Sequence, residues 1–387
     1  SSWADYDKGL ISAGGGVFAR TEKRIPLSPE AREVLGVTDE ALDPDSLIAA
    51  ILKAPADLLW FGGIGTYVKA SDESHADVGD PASDALRVDA SELRVAVIGE
   101  GANLGITQAA RIEFGLKGGR SNTDFIDNSA GVDCSDNEVN IKIALAAAKA
   151  AGRLDEDGRR AVLREMTDEV AALVLEDNRL QALALSIAER GGAAAVPSLS
   201  SLIDRLEERG ELDRRTEGLA GAEELARRGA DGFGLTRPEL AVLLSSTKLA
   251  IQAGIERCDL AADPSVEPLL LAKFPATMQA RFREEILNHQ LRGELVATAI
   301  ANRLVNRMGV IHPFELAAEE GAQLAHVAAA FVGACELLGM DALWDAIDGT
   351  EMPEAGRLML FGAAALALRG HMADLLRAGC TDCPSAT

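Results

Sequence analysis

The chain has 387 residues, 48% of them hydrophobic, and a formal net charge of −23. That length holds two or more domains, and so acidic a chain argues against nucleic-acid or anionic-membrane partners, because phosphate binding needs a basic surface. No uninterrupted apolar run reaches the ~18 residues of a spanning helix; the richest, Leu358 to Leu368, is short and alanine-rich and suits a buried helix.

Five scattered cysteines, an odd number, point to a reducing, cytoplasmic setting without a disulfide framework. Cys380 and Cys383 form a lone CxxC with no second pair, so no metal site is expected there. Cys134 is expected as a small buried apolar residue. The opening residues do not read as a signal peptide, and none is expected there. It starts at Ser1, with Trp3 and Tyr6 close behind, and is expected to begin inside a larger polypeptide.

In chain order, Gly14-Gly15-Gly16 reads as a flexible loop. Ser28-Pro29-Glu30 starts a helix to about Leu35, and the spacing of Leu47, Ile48, Ile51 and Leu52 predicts another over Asp45–Leu52. Ala56 to Phe61 reads as a strand ending in Gly62-Gly63-Ile64-Gly65. A strand ending in glycines is where an α/β domain places ligands. Asp72 to Pro81 reads as a surface loop containing a solvated His75, and Ser83 to Val88 as a short helix.

The stretch from Leu93 to Lys142 carries most of the functional signal. Arg94 to Ile98 is a Val/Ile-rich strand. Thr107 caps a helix over Gln108–Leu116, which Gly118-Gly119 ends. Asn122 to Ile126 is expected as the next strand, Asp127 to Gly131 as a polar loop, and a further helix begins near Ser135 or Asp136. Strand, glycine-rich turn, helix, strand and helix is the grammar of an α/β nucleotide-binding domain. The segment VAVIGEGANLG mimics the fingerprint G-x-G-x-x-G, but the third glycine is due at Leu104 and comes only at Gly105, so the pyrophosphate reading fails on spacing. The plainer reading of these glycines is a tight turn that needs positive φ.

From Glu138 onward the pattern is helical. Expected helices cover Glu138–Ala151, Glu156–Arg190, Ser198–Arg209, Asp213–Arg228, Arg237–Gly254, Pro275–His289, Gly293–Met308, Pro313–Leu338 and Pro353–Leu376. Thr236 to Glu239 has the form of a capping box, and Gly309 and Gly339 look like C-terminal stops. His289 reads as a hydrogen-bonded structural histidine. His312, His326 and His371 lack carboxylates or cysteines at metal-ligand spacing.

The phrases DLLWFGGIGTYVKAS (57 to 71), GEGANLGITQAARIEFGLKGGRSNTDFIDNSAGVDCSD (99 to 136) and EVNIKI (138 to 143) resemble the glutamate/leucine/phenylalanine/valine dehydrogenase family, specifically its large, NAD-specific glutamate dehydrogenase branch. So do LTRPELAVLLSSTKLAI (235 to 251) and the segment 274 to 309. In the family an EGAN segment precedes an NAGGV-like loop and a serine. The resemblance implies a fold of α/β plus all-α class: the C-terminal part of a Rossmann-like NAD domain (1–150), followed by a helical domain (151–387). It implies NAD as cofactor, L-glutamate and 2-oxoglutarate as substrate and product, and a homo-oligomer.

It also implies roles. Gly62 and Gly63 would lie under the nicotinamide ribose, with Asn103 near it, and Gly101 would also bind the cofactor. Asn128 would lie near the carboxamide, and the cofactor-binding Ala130, in the loop Ser129–Val132, would line the junction of ring and substrate. Val132 would line the substrate junction and Ser135 would hold a substrate carboxylate. An Asn suits such a place because its amide offers both donor and acceptor. The family's catalytic lysine, in a P-x-G-G-x-K-G-G-like segment, and its catalytic aspartate have no counterpart here; Lys117 lacks the motif's leading residues. No catalytic residue and no metal ligand is therefore assigned. Two other readings are a non-catalytic helical assembly or regulatory module, and a dehydrogenase for another amino acid such as leucine or phenylalanine.

Overall fold

A computed structural model describes residues 3–379. The Cys380–Cys383 motif lies outside the described residues. The chain is a mixed α/β protein with a large helical part. It divides into two compact units, one of residues 1–128 with 236–238, the other of residues 129–235 and 239–387.

The first unit opens with the antiparallel pair β1 (Ile25–Pro26) and β2 (Ala41–Leu42) flanking helix α1 (Pro29–Leu35). The Ser28 hydroxyl accepts the Ala31 N–H at the start of α1, and Asp43 caps α2 (Pro44–Leu52). There follow β3 (Ala56–Phe61), β4 (Val68–Lys69), a four-residue helix α3 (His75–Val78), β5 (Val88–Asp89) and β6 (Val95–Glu100). β3 and β6 pair in parallel, Leu58 opposite Val97 and Trp60 opposite Gly99. β4 and β5 form a second parallel pair. Helix α4 (Gln108–Leu116) starts at Thr107, whose hydroxyl accepts the Ala110 N–H at 3.1 Å. Phe61, Val68, Val88, Ile98, Ile106, Ala110 and Phe114 form the core that fixes these elements.

Three local expectations fail here. The helix expected at Ser83–Val88 is a short 3-10 turn (Pro81–Ser83) followed by β5. The fully buried Arg87 side chain explains it, donating to the Thr66 carbonyl at 2.7 Å and the Asp80 carbonyl at 2.5 Å. The strand expected at Asn122–Ile126 is absent: beyond β6 the parallel pairing is a single bridge at Arg120, and the chain turns into helix α5 (Asp124–Asp127). The polar loop expected at Asp127–Gly131 is largely helical, because α6 (Ser129–Ala150) begins six residues before Ser135.

The second unit is built of helices. The helix expected over Glu156–Arg190 is two, α7 (Glu156–Glu165) and α8 (Thr167–Glu189), parted at the buried Met166. α9 (Val196–Glu208) follows as expected. The helix expected over Asp213–Arg228 contracts to α10 (Ala222–Ala230): the Asp213 carboxylate takes the Thr216 N–H at 2.8 Å and Gly218 stands at φ 67°, which closes a turn instead. α11 (Arg237–Ile255) and the short α12 (Glu267–Ala272) precede a second split, α13 (Ala276–Arg281) and α14 (Arg283–Leu287). α15 (Arg292–Met308) buries Val296, Ile300 and Leu304 at helical spacing. The helix expected over Pro313–Leu338 is α16 (His312–Glu319) and α17 (Leu324–Leu338), parted at Gly321 with φ 62°. α18 (Met340–Gly349) and α19 (Glu354–Arg377) end the unit.

Among the described residues α19 alone is long and apolar enough, by length and composition, to cross a membrane, if the bent pair α16–α17 is not counted as one span. Its Phe361, Leu368, Met372 and Leu376 are buried while Met359, Leu360 and Leu366 are exposed, so the Leu358–Leu368 stretch is covered on one face. His289 is the structural histidine expected: Nδ1 accepts the Leu291 N–H and Nε2 lies 3.1 Å from the Asn140 carbonyl. Cys134, expected as buried, is exposed on the outer face of α6.

Candidate functional site

In the first unit β3 and β6 run in parallel, so both end at the same edge. Two loops leave that edge. Residues 62–65 follow β3, and residues 101–105 follow β6 and lead to the Thr107 cap of α4. The two are joined by the Tyr67 N–H donating to the Gly105 carbonyl at 2.8 Å and the Thr107 N–H to the Val68 carbonyl at 3.0 Å.

The glycines of VAVIGEGANLG have a reason that the fingerprint does not supply. A Cβ on Gly99 would stand 2.5 Å from the Trp60 indole, one on Gly101 2.6 Å from the same ring, and one on Gly105 2.8 Å from the Phe61 ring. Neighbouring aromatics on β3 therefore require all three. None of the three has positive φ, which corrects the tight-turn reading; the residue with positive φ in this loop is Leu104, at 58°. By contrast, a Cβ on Gly63 would meet nothing within 4 Å, and one on Gly62 only the Trp60 ring at 3.9 Å. Among the described residues no internal contact explains glycine at 62 or 63.

Asn103 is exposed at the tip of the second loop. The Asn128 side-chain amide donates to the Asn103 carbonyl oxygen at 2.8 Å. Two residues expected at the cofactor are thus brought together, although 25 positions separate them. Each retains unused amide capacity toward solvent, since one hydrogen bond leaves further donors and acceptors on both side chains.

Beneath this pair lies a polar network. The Glu100 side chain, 1% exposed, is gripped by Arg111 through Nε at 2.7 Å and Nη2 at 2.9 Å. Burial pushes the Glu100 carboxyl up from its ordinary range, and the Arg111 guanidinium opposes this. Burial also raises the Asp127 carboxyl, against hydrogen bonds from the Asn122 amide at 2.7 Å and the Glu100 N–H at 3.0 Å. Asp124 accepts the Leu104 N–H at 2.8 Å. Sequence reasoning missed Glu100, Arg111, Asp124 and Asp127 as parts of the site. The available signal was an Asp-x-x-Asp-Asn pattern at i, i+3 and i+4, which puts three short polar side chains on one side of a helical turn.

In the second unit, Ala130, Val132 and Ser135 lie in the first two turns of α6. Val132 and Ser135, three residues apart, share an exposed face. The opposite face is fixed by polar contacts. The Ser129 hydroxyl accepts the Asn178 side-chain amide at 2.8 Å, and Asn137 donates to the Asp133 carboxylate at 3.0 Å. Burial, with Asp177 nearby, raises the Asp133 carboxyl, and Asp177 pairs with Lys273 at 2.7 Å. Among the described residues no group of three or more His, Cys, Asp or Glu side chains is arranged to hold a metal ion.

Comparison with known proteins gives these elements a family. Residues 1–188 match the model of the bacterial NAD-glutamate dehydrogenase catalytic domain, and residues 232–378 match that of the glutamate dehydrogenase C-terminal region. The chain belongs to the bacterial NAD-glutamate dehydrogenase family. It is 50% identical over 332 residues, 86% of its length, to an NAD-specific glutamate dehydrogenase of Pseudomonas aeruginosa. It is 44% identical over 351 residues to one of Halomonas elongata, and 44% over 362 residues to one of Mycobacterium tuberculosis. These matches take in 91% and 92% of the chain. The chain spans about a fifth of the length of these relatives, 20% to 22%. Within the catalytic-domain match fall β3, β6, α5, Asn103, Asn128 and the start of α6.

Proposed function

We propose that this chain is part of an enzyme that oxidatively deaminates L-glutamate with NAD, and that its first unit supplies the nicotinamide edge of a Rossmann-like cofactor domain. The observation that carries the reading is the Asn128–Asn103 hydrogen bond at the carboxyl end of two parallel strands. Ligands of open α/β sheets bind at that edge, and a paired amide leaves one donor set and one acceptor set to orient a carboxamide and a ribose hydroxyl. Support also comes from the relatives named NAD-specific glutamate dehydrogenase.

The residues fit the cofactor in kind. Gly62 and Gly63 leave open space above the strand end, where a ligand can approach the backbone closely. NAD, when bound, supplies the acceptor for the hydride leaving Cα of L-glutamate. The overall conversion takes L-glutamate, NAD and water to 2-oxoglutarate, ammonium, NADH and a proton. This chain's residues orient: Asn103 and Asn128 hold the ring and ribose in one pose, and Ser135, on the exposed face of α6, donates to a substrate carboxylate. The reading extends, on the resemblance alone, to a homo-oligomer in the cytoplasm and to the division at about residue 150. The test is NADH formation by a full-length relative carrying the equivalent of Asn128→Ala: loss of glutamate-dependent NADH supports the reading, and wild-type turnover removes it.

A further inference from the structure

Leu104 is the only non-glycine residue with positive φ among those described, at 58°. For a branched side chain this conformation costs roughly 1–2 kcal/mol. Packing does not offset it, because Leu104 is 61% exposed. Its N–H, however, donates to the Asp124 Oδ2 at 2.8 Å. Asp124 is itself held: its Oδ1 accepts the Phe125 N–H at 3.0 Å and lies 3.3 Å from Arg111 Nη2, and Arg111 forks onto Glu100.

The same short helix holds the loop at two more points. Asp127 accepts the Glu100 N–H at 3.0 Å, and Asn128, the next residue, donates to Asn103. Asp124, Asp127 and Asn128 thus seize Leu104, Glu100 and Asn103 from one turn of α5. The loop 101–105 has little choice of shape while α5 is intact.

We propose that Asp124 is a positioning residue for the cofactor site: it holds Leu104 in the left-handed conformation that sets the Asn103 amide against Asn128. The proposal rests on the assignment of Asn103 and Asn128 to the nicotinamide edge. It separates a positioning role from ordinary core stability by one feature. If Asp124 matters because it pays for strain at 104, glycine at 104, which takes positive φ freely, removes most of the need for it.

The experiment compares the 387-residue chain with Asp124→Ala, Asp124→Asn, Leu104→Gly and the double variant Asp124→Ala/Leu104→Gly. Two readouts are taken: amide hydrogen exchange across residues 101–105, and NADH titration. In Asp124→Ala, exchange of the loop amides quickens and the NADH Kd weakens, each by about tenfold, the scale of a lost hydrogen bond to a charged group. Asp124→Asn keeps an acceptor oxygen and loses less than Asp124→Ala. Adding Leu104→Gly to Asp124→Ala returns the NADH Kd to within about threefold of wild type. No recovery in the double variant, with circular dichroism unchanged, overturns the proposal, as does unaltered exchange at the Leu104 amide in Asp124→Ala. If Asp124→Ala fails to fold, Asp124→Asn with and without Leu104→Gly makes the same comparison. Wild-type chain that binds no NADH would sink the cofactor reading and, with it, the proposed role in binding; the exchange data would still show whether the clamp exists.

Discussion

The Asn128 side-chain amide lies 2.8 Å from the Asn103 carbonyl oxygen, closing a loop of 25 residues that contains β6's exit, α4 and α5. Neither side chain is buried in the core, and a hydrogen bond between half-exposed amides adds only about 0.5–1.5 kcal/mol to stability. Its consequence is geometric: two amides arrive as a unit at a strand end.

Gly63 offers the cleanest separation of ligand from fold. A Cβ there meets nothing within 4 Å and the backbone has no positive φ. Gly63→Ala should therefore leave the urea midpoint within about 0.5 kcal/mol of wild type. If a cofactor passes closely over this strand end, the same substitution weakens NADH binding by more than tenfold, as ~1.4 kcal/mol or more of clash requires. Equal NADH affinity in Gly63→Ala would remove Gly63 from the site.

Gly101 and Gly99 make the opposite prediction. Either Ala substitution places a methyl group into the Trp60 indole and should cost about 1–3 kcal/mol by overpacking. Trp60→Leu should relieve part of that cost in a double-mutant cycle measured by chemical denaturation. Strict additivity would mean that the ring does not impose these glycines.

The Glu100–Arg111 pair is buried on both sides. Arg111→Met leaves a buried carboxylate without its cation and should destabilise the chain by about 3–5 kcal/mol, whereas Glu100→Gln/Arg111→Met together should cost much less. Urea denaturation of the two variants checks this; a single variant as stable as the double contradicts it.

Lys248 gives the pH dependence. Burial, with Lys273 adding to it and Asp177 opposing, brings its ammonium down to about 7. The unfolded chain keeps that proton to about 10.4. Between the two values the unfolded state binds more protons, so this residue makes stability rise with pH, and below about 7 its cost is fully present. The stability gained by Lys248→Met should thus be larger at pH 7 than at pH 10, by roughly 1–2 kcal/mol after discounting for a half-buried group. A gain that does not change over that range contradicts the assignment.

What the sequence made legible follows from local rules. β3, an apolar run ending at glycines, the Val/Ile-rich β6 and the Thr107-capped α4 stand where local rules place them. The Asn122–Ile126 strand failed because Asp124 and Asp127 are drawn to backbone N–H groups 20 and 27 residues away, a tertiary demand that closes a helical turn. The start of α6 was missed because Ser129-Ala130-Gly131 reads as a loop, while in the fold the Asn178 amide holds Ser129 at the helix start. Helix breaks at Met166 and between α13 and α14 interrupt an apolar period that continues across them, and the break at Gly321, φ 62°, fell inside a stretch expected as one helix. Asn103 and Asn128 were singled out through family resemblance. Nothing in their spacing says that they touch.

The central claim is that the strand-end asparagines form a nicotinamide site, and its most direct test is calorimetric titration of the chain with NADH beside Asn103→Ala/Asn128→Ala. Saturable binding by the wild-type chain, lost in the double variant with the helical signal unchanged, is the predicted result. Equal binding by both would place the cofactor elsewhere and contradict the account.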